Sequence, residues 1–203
     1  VSGSRSFDGA SSTIVEGRPV AGWPQNTRTT GDLHGSLQDL SAALELTGQP
    51  TPGTLVIFNG DYVDRGLRRR GHVSTIPPRA SRAAPPTTTG PDGCEVLAAV
   101  VALKLAFPGS VHLNRGNHED AQLSRVYDFE EELRGKYGDR AVGLLDDAGA
   151  LFEALPLACV VRDAVTTLVL HGHLPRDLPT LEQLRASPRV PSVAAAHYDE
   201  GAS

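Results

Sequence analysis

The stretch TLVIFNGDYVDRG, residues 54–66, decides the fold. Its first five residues form a continuous apolar run of strand length, as expected of a strand buried on both faces. The run leads into a polar cluster, NGDYVDRG at 59–66, rich in Gly and Asp. Two further apolar segments end in the same way. Val111 to Leu113 leads into NRGNHED at 114–120, and Leu168 to Leu170 leads into HGH at 171–173. A fourth cluster, GDLHG at 31–35, precedes a helical segment. In open α/β sheets ligands gather at the carboxyl ends of strands. The four clusters are therefore candidates to converge on one edge of a sheet.

The segments between them alternate in type. Ser36 is placed to cap a helix, with Asp39 three residues on. Leu37, Leu40, Ala43 and Leu44 recur at helical spacing, and Gly48 closes the segment. Residues 94–107 read as a helix with a stripe of Val96, Val100, Leu103 and Phe107, ended by Pro108 and Gly109. Residues 122–137 and 140–155 read as two more helices, separated near Gly138. Residues 158–161 and 166–170 read as strands around a turn at 163–164, and a last helix covers 180–186. Strands alternating with helices mean α/β layering.

Two regions break this regularity. Residues 1–27 are rich in Ser, Gly and Thr and read as an irregular N-terminal segment, with one apolar hint at Thr13 to Val15 and a lone packing aromatic, Trp23. Residues 67–93, LRRRGHVSTIPPRASRAAPPTTTGPDG, hold five Arg, five Pro and one acid without periodicity. They read as a disordered basic, Pro-rich insertion, a solvated linker carrying His72. One partial domain is then expected over 28–203.

Composition narrows the class. A length of 203 residues favours one core. With 39% hydrophobic and 21% charged residues the chain is neither a disordered polymer nor a membrane protein, and no run approaches the ~20 apolar residues needed to span a bilayer. The net charge of −5 speaks against nucleic acid held through phosphates. No apolar signal segment opens the chain, and two distant cysteines, Cys94 and Cys159, make no disulfide framework. An intracellular setting, cytoplasmic or nuclear, is the expectation. The absence of Met and the start at Val1 read as a fragment or a processed form.

The clusters hold Asp, His and Asn without thiolates, a donor set for hard or borderline divalent ions such as Mn, Fe or Zn. Asp32 and His34, two residues apart on an extended segment, face the same way and can share an ion. Asp61 has two oxygens with which to bridge two ions, and Asn117 and His171 supply neutral ligands for the second. Two ions about 3.5–4 Å apart can activate a shared water and clamp a phosphoryl group. His118 is then a candidate general acid, Asp64 a carboxylate to hold its ring, and Arg65 a fork for phosphate oxygens.

Each motif alone is weak, but their ordered combination is specific. GDLHG (31–35), GDYVDRG (60–66), RGNHED (115–120) and LVLHG (168–172), with VYDFEEELRGKYG (126–138) and LFEALPLACVV (151–161), resemble the calcineurin-like metallophosphoesterases. More closely they resemble the PPP family of serine/threonine protein phosphatases, nearest to its protein phosphatase 5 and EF-hand (rdgC-like) branches. The resemblance covers about 28–186 apart from the insertion. It implies a layered α-β-β-α sandwich, here short of its C-terminal part. It also implies two divalent metal ions held by Asp32, His34, Asp61, Asn117 and His171, with His118 as acid, Asp64 as its partner and Arg65 on phosphate. The implied activity is hydrolysis of phosphoserine and phosphothreonine monoesters on proteins by a metal-activated hydroxide. Phosphoprotein substrates and a regulatory protein would be the partners, with no nucleic acid or membrane. Arg115 reads as structural support.

The chain also departs from the family pattern. The family uses a further metal-binding His, a second phosphate-binding Arg and a Tyr beyond the HGG-like segment. Here the only later His is His197, in a context that does not match. Residues 25–30 make a poor buried strand, the insertion follows GDYVDRG directly, and His173 replaces a glycine. These departures keep two rivals open. One is a phosphoesterase acting on small molecules or dinucleoside polyphosphates. The other is a catalytically impaired, truncated phosphatase serving as a binding module. Ordinary roles are expected for His112 on its strand, for Cys159 as a core thiol, for Cys94 in packing, and for the acidic run 128–132 as a solvated helix face.

Overall fold

In the computed structural model, the residues described are 14–17, 26–51, 53–65, 91–162, 165–172 and 176–187. Trp23, His72, His173, His197 and the turn at 163–164 lie outside them, as does the insertion up to residue 90. Strand β1 (Ile14–Gly17) and strand β2 (Asn26–Thr30) come first, then helix α1 (Leu37–Thr47) and strand β3 (Thr54–Phe58). Helix α2 (Gly93–Ala106), strand β4 (Val111–Leu113) and helices α3 (Leu123–Val126), α4 (Phe129–Tyr137) and α5 (Ala141–Ala154) follow. Strands β5 (Ala158–Arg162) and β6 (Thr166–Leu170) and helix α6 (Leu181–Ala186) complete the order.

The strands form two three-stranded sheets. One is all parallel, in the order β2-β3-β4; the other has β1 parallel to β5 and β5 antiparallel to β6. Alternation along β3 explains how they stack. Val56 and Phe58 face one way, into a core with Leu40, Val96, Val100, Phe129 and Phe152 from the helices. Leu55 and Ile57 face the other way and pack against Cys159 and Val161 of β5. The far side of β5, Ala158 and Val160, meets Leu181 and Leu184 of α6. The layers therefore run helices, sheet, sheet, helix, the α-β-β-α sandwich the resemblance implies. Each fully buried Val, Leu, Ile or Phe side chain among them stabilises the fold by about 1.5–3 kcal/mol.

Local signals act as read. Ser36 accepts the Asp39 N–H at 3.1 Å and caps α1, a contact worth about 1 kcal/mol. The polar segment before GDLHG is a strand after all, because it is not a buried one. β2 lies at the border of its sheet in register with β3, with Arg28 and Thr29 exposed, so polar side chains suit it. The N-terminal segment contributes β1, paired with β5 from Ile14↔Ala158 to Gly17↔Val161.

The helix expected over 122–137 is two helices, α3 and α4, interrupted at Tyr127 and Asp128. At the break the Phe129 N–H is donated to Asp64 Oδ1 at 2.9 Å instead of to a helical carbonyl. Nor is the acidic run a wholly solvated face. Glu132 is buried and accepts the Gly93 and Cys94 N–H groups at 3.1 and 2.9 Å, so it caps α2 from a neighbouring helix. Cys94 stands at the start of α2, but burial, with Glu95 and Glu132 adding to it, pushes its thiol up rather than down.

Candidate metal centre

The loops after β2, β3, β4 and β6 do meet. Asp32 and His34 come from the first, Asp61, Asp64 and Arg65 from the second, Asn117 and His118 from the third, and His171 from the fourth. The donor atoms of His34, Asp61 and His118 all lie within 4.8 Å of one another, as do those of Asp32, Asp61 and His171. Asp61 belongs to both sets.

Second partners fix the imidazoles. His34 Nδ1 donates to the Val63 carbonyl at 2.9 Å, which leaves the Nε2 lone pair bare. That nitrogen is buried without a hydrogen-bond partner, 3.5 Å from Asp61 Oδ2 and 3.8 Å from Asp32 Oδ2. Burial first of all pulls the His34 pKa down, so the neutral, ligating form is favoured. His171 Nδ1 donates to the Asn59 carbonyl at 2.7 Å, and its Nε2 faces Asn117 Oδ1 at 3.0 Å and Asp61 Oδ1 at 3.3 Å. The bond to Asp61, opposed by burial and helped by the Asp61 charge, pushes His171 up to about 9. Asp61 itself is pushed up by burial, but the bonds from His171 and the His118 N–H outweigh this and hold it below its usual value.

These residues fit divalent cations. An orphaned imidazole nitrogen faces two carboxylates, and around His171 Nε2 a carboxylate and an amide oxygen converge, all acceptors that a cation satisfies together. Asp32 is 47% exposed, so the pair of sets opens to solvent on its side.

His118 is built differently. Both of its ring nitrogens are engaged: Nδ1 donates to Asp64 Oδ2 at 2.9 Å and Nε2 accepts from Arg65 Nη2 at 3.1 Å. Its ring packs edge-on against His34 and tilted against Tyr127, with centroids 4.8 Å away in each case. Asp64 is fixed in turn by the Phe129 N–H, which is why the helix breaks there.

The backbone here is strained. Among the described residues, the non-glycine positions with positive φ are His34 (39°), Asp61 (55°), Asp64 (65°) and Arg65 (63°), all in this centre. Such conformations cost about 1–3 kcal/mol each and persist where the surroundings impose them. Close approach adds to this. A Cβ on Gly60 would lie 2.4 Å from the Gly116 nitrogen, and one on Gly116 would lie 2.3 Å from Asp61 Oδ1.

Several residues that shape the centre escape a reading of motifs. Glu119 is fully buried and accepts backbone N–H groups from Asp61, Tyr62 and Gly116; burial and the Asp61 charge push it up to about 7. Asn114 Nδ2 donates to Asn59 Oδ1 at 2.8 Å and the Val169 carbonyl at 3.1 Å, and Asn59 Nδ2 donates to the Leu170 carbonyl at 3.1 Å. This pair pins the end of β6, and so His171, to the parallel sheet. Arg115 is buried and donates to the Glu119 carbonyl at 2.8 Å, a supporting position. Glu119 and Asn114 do stand in the quoted loop, but only burial separates them from solvated neighbours.

The geometry can be set beside known proteins. The model of the calcineurin-like phosphoesterase family matches residues 29–200. Serine/threonine-protein phosphatase T of Schizosaccharomyces pombe is 37% identical over 156 residues, 76% of this chain and 27% of that protein. Serine/threonine-protein phosphatase rdgC of Drosophila melanogaster is 36% identical over 148 residues, 73% of this chain and 18% of that protein. A solved Saccharomyces cerevisiae protein serine/threonine phosphatase, described as similar to human phosphatase PP5, superposes with a TM-score of 0.68 at 29% identity. It covers 89% of this chain and 49% of its own. The chain thus spans less than half the length of each of these relatives.

Proposed function

This chain belongs to the calcineurin-like phosphoesterase family, and from that premise we propose that it hydrolyses phosphoserine and phosphothreonine monoesters on proteins. The observation that carries the reading is that Asp61 stands in two groups of converging donor atoms, one with His34 and His118 and one with Asp32 and His171, and that both ring nitrogens of His118 already have partners of their own. Asp32, His34 and Asp61 would hold one divalent ion, and Asp61, Asn117 and His171 the other. The oxygen and nitrogen donors suit Mn, Fe or Zn. Bound there, the ions supply Lewis acidity, which lowers the pKa of water and offsets phosphoryl charge.

The chain's own residues do the rest. Asp64 accepts from His118 Nδ1 and so aims Nε2 at Arg65; once Arg65 turns to the phosphate and Nε2 carries a proton, that proton can pass to the departing serine or threonine oxygen. Arg65 is exposed and already reaches His118 Nε2, so its guanidinium can fork onto phosphate oxygens beside the acid. The positive φ at Asp64 and Arg65 is what lets one backbone turn deliver both side chains to one point.

The test is turnover of p-nitrophenyl phosphate and a phosphopeptide with added Mn²⁺, for the chain and its Asp61→Asn and His118→Asn variants. Turnover abolished by both substitutions supports the reading. Turnover confined to a dinucleoside polyphosphate would replace the substrate class, and tight metal binding without any turnover would make the chain a binding module.

A further inference from the structure

Glu119 carries a carboxylate that the reaction does not use, buried completely beside the centre. Its Oε2 accepts the Asp61 N–H at 2.7 Å and the Gly116 N–H at 2.8 Å, and its Oε1 accepts the Tyr62 N–H at 2.8 Å. The three donors come from two loops: Asp61 and Tyr62 follow β3, and Gly116 follows β4. Two of them, Asp61 and Gly116, sit where the backbone is tightly constrained. Asp61 has φ 55°, and the Gly60 and Gly116 backbones approach so closely that neither position has room for a Cβ. Glu119 is itself tied down, since Arg115 Nε donates to its carbonyl.

We propose that Glu119 is a positioning residue that clamps the loop bearing Asp61 to the loop bearing Asn117 and His118, and thereby sets the spacing of the two donor sets. The inference rests on the reading of Asp61 and Asn117 as metal ligands. A carboxylate is required, because only a group with two acceptor oxygens can take three N–H donors at once. A glutamine in its place offers one oxygen and turns an NH₂ group toward a backbone N–H. Residues that orient metal ligands in this way typically cost 10–100-fold in metal affinity or activity when replaced.

Glu132 provides a matched control. It is also a buried glutamate accepting backbone N–H groups, from Gly93 and Cys94, but it serves the start of α2. The experiment is Mn²⁺ titration by calorimetry of the intact chain, Glu119→Gln and Glu132→Gln, each confirmed folded by circular dichroism. The expected result is Mn²⁺ binding weakened roughly 10–100-fold in Glu119→Gln and unchanged in Glu132→Gln. Equal losses in both variants, or none in Glu119→Gln, would overturn the proposal. Amide hydrogen exchange of the unaltered chain supplies a second reading that needs neither metal nor a folded variant. Slow exchange at Asp61, Tyr62 and Gly116, which lie outside helices and strands, supports the clamp, and fast exchange at these amides refutes it. If the unaltered chain takes up no Mn²⁺, the functional reading fails while the exchange result still judges Glu119.

Discussion

Gly60 is where a single methyl group tests the architecture of the centre most directly. Its φ is 90°, and a Cβ there would lie 2.4 Å from the nitrogen of Gly116, 2.5 Å from its Cα and 3.0 Å from His171 Nδ1. Gly48 is the natural comparison, with φ 71° at the end of α1 and nothing within 4 Å of its Cβ position. Both substitutions to alanine incur backbone strain of about 1–3 kcal/mol. Gly60→Ala alone adds overpacking, about 1–3 kcal/mol more, because the two nearest atoms it meets are Gly116 backbone and cannot rotate away. Gly116 cannot yield without stretching its bond to Glu119, which also holds Asp61. The expected losses are then about 1–3 kcal/mol for Gly48→Ala and about 2–6 kcal/mol for Gly60→Ala. Urea unfolding measures both, and Mn²⁺ titration should show binding lost only in Gly60→Ala. Equal destabilisation by the two substitutions would refute the argument that contact between the two loops, rather than φ alone, demands a glycine at 60.

Other consequences are as direct. Burial, reinforced by the Lys104 charge, lowers His112 to about 4 in the folded chain. The unfolded state therefore binds the extra proton first, and stability falls as pH drops from about 6.5 towards 4, by about 3 kcal/mol in all. Urea unfolding at pH 7 and pH 4.5 should show that loss in the wild type minus His112→Leu difference, and parallel curves would contradict it. Asp64→Asn should lower kcat by roughly 10²–10⁴-fold with little change in KM, since it removes the charge that orients and supports His118; steady-state kinetics with p-nitrophenyl phosphate decides. Asn114→Ala strips the donors to Asn59 and Val169 and should cost about 1–3 kcal/mol, read as a lower urea midpoint.

Much of the frame was legible because its signals are local. The run Leu55 to Phe58 has no polar interruption, so it had to be a strand covered on both faces, and the Ser36 cap followed from hydroxyl and spacing alone. What escaped reading depends on neighbours distant in sequence. β2 looks too polar for a strand until its place at the border of a sheet is known. The pattern over 122–137 is helical throughout, and only Asp64, 65 residues away, takes the Phe129 N–H and interrupts it. Glu132 looks like its solvated neighbours because burial depends on where α2 begins. The residues that meet in the centre all stood in the quoted motifs, whereas their backbone conformation did not show there. Positive φ at His34, Asp61, Asp64 and Arg65 is uncommon for any residue but glycine, and although Asp and His take it more readily than most, residue type alone does not announce it.

The residues of the centre come from loops of both sheets. Asp32, His34, Asp61, Asn117 and His118 all follow strands of the parallel sheet, whereas His171 alone follows a strand of the other sheet. The first proposed ligand set, Asp32 with His34 and Asp61, stands on loops of a single sheet. The second proposed set includes His171, whose Nδ1 donates to the Asn59 carbonyl and which follows a strand end that the Asn59 and Asn114 side chains bond to. Apolar packing of Leu55 and Ile57 against Cys159 and Val161 brings the sheets together but is tolerant of small slips, being non-directional. The asparagine bonds are directional and remove that tolerance at the end of the strands where the ligands stand. On the proposed ligand assignment, metal binding would be coupled to sheet docking, and the second set would depend on more of the fold than the first.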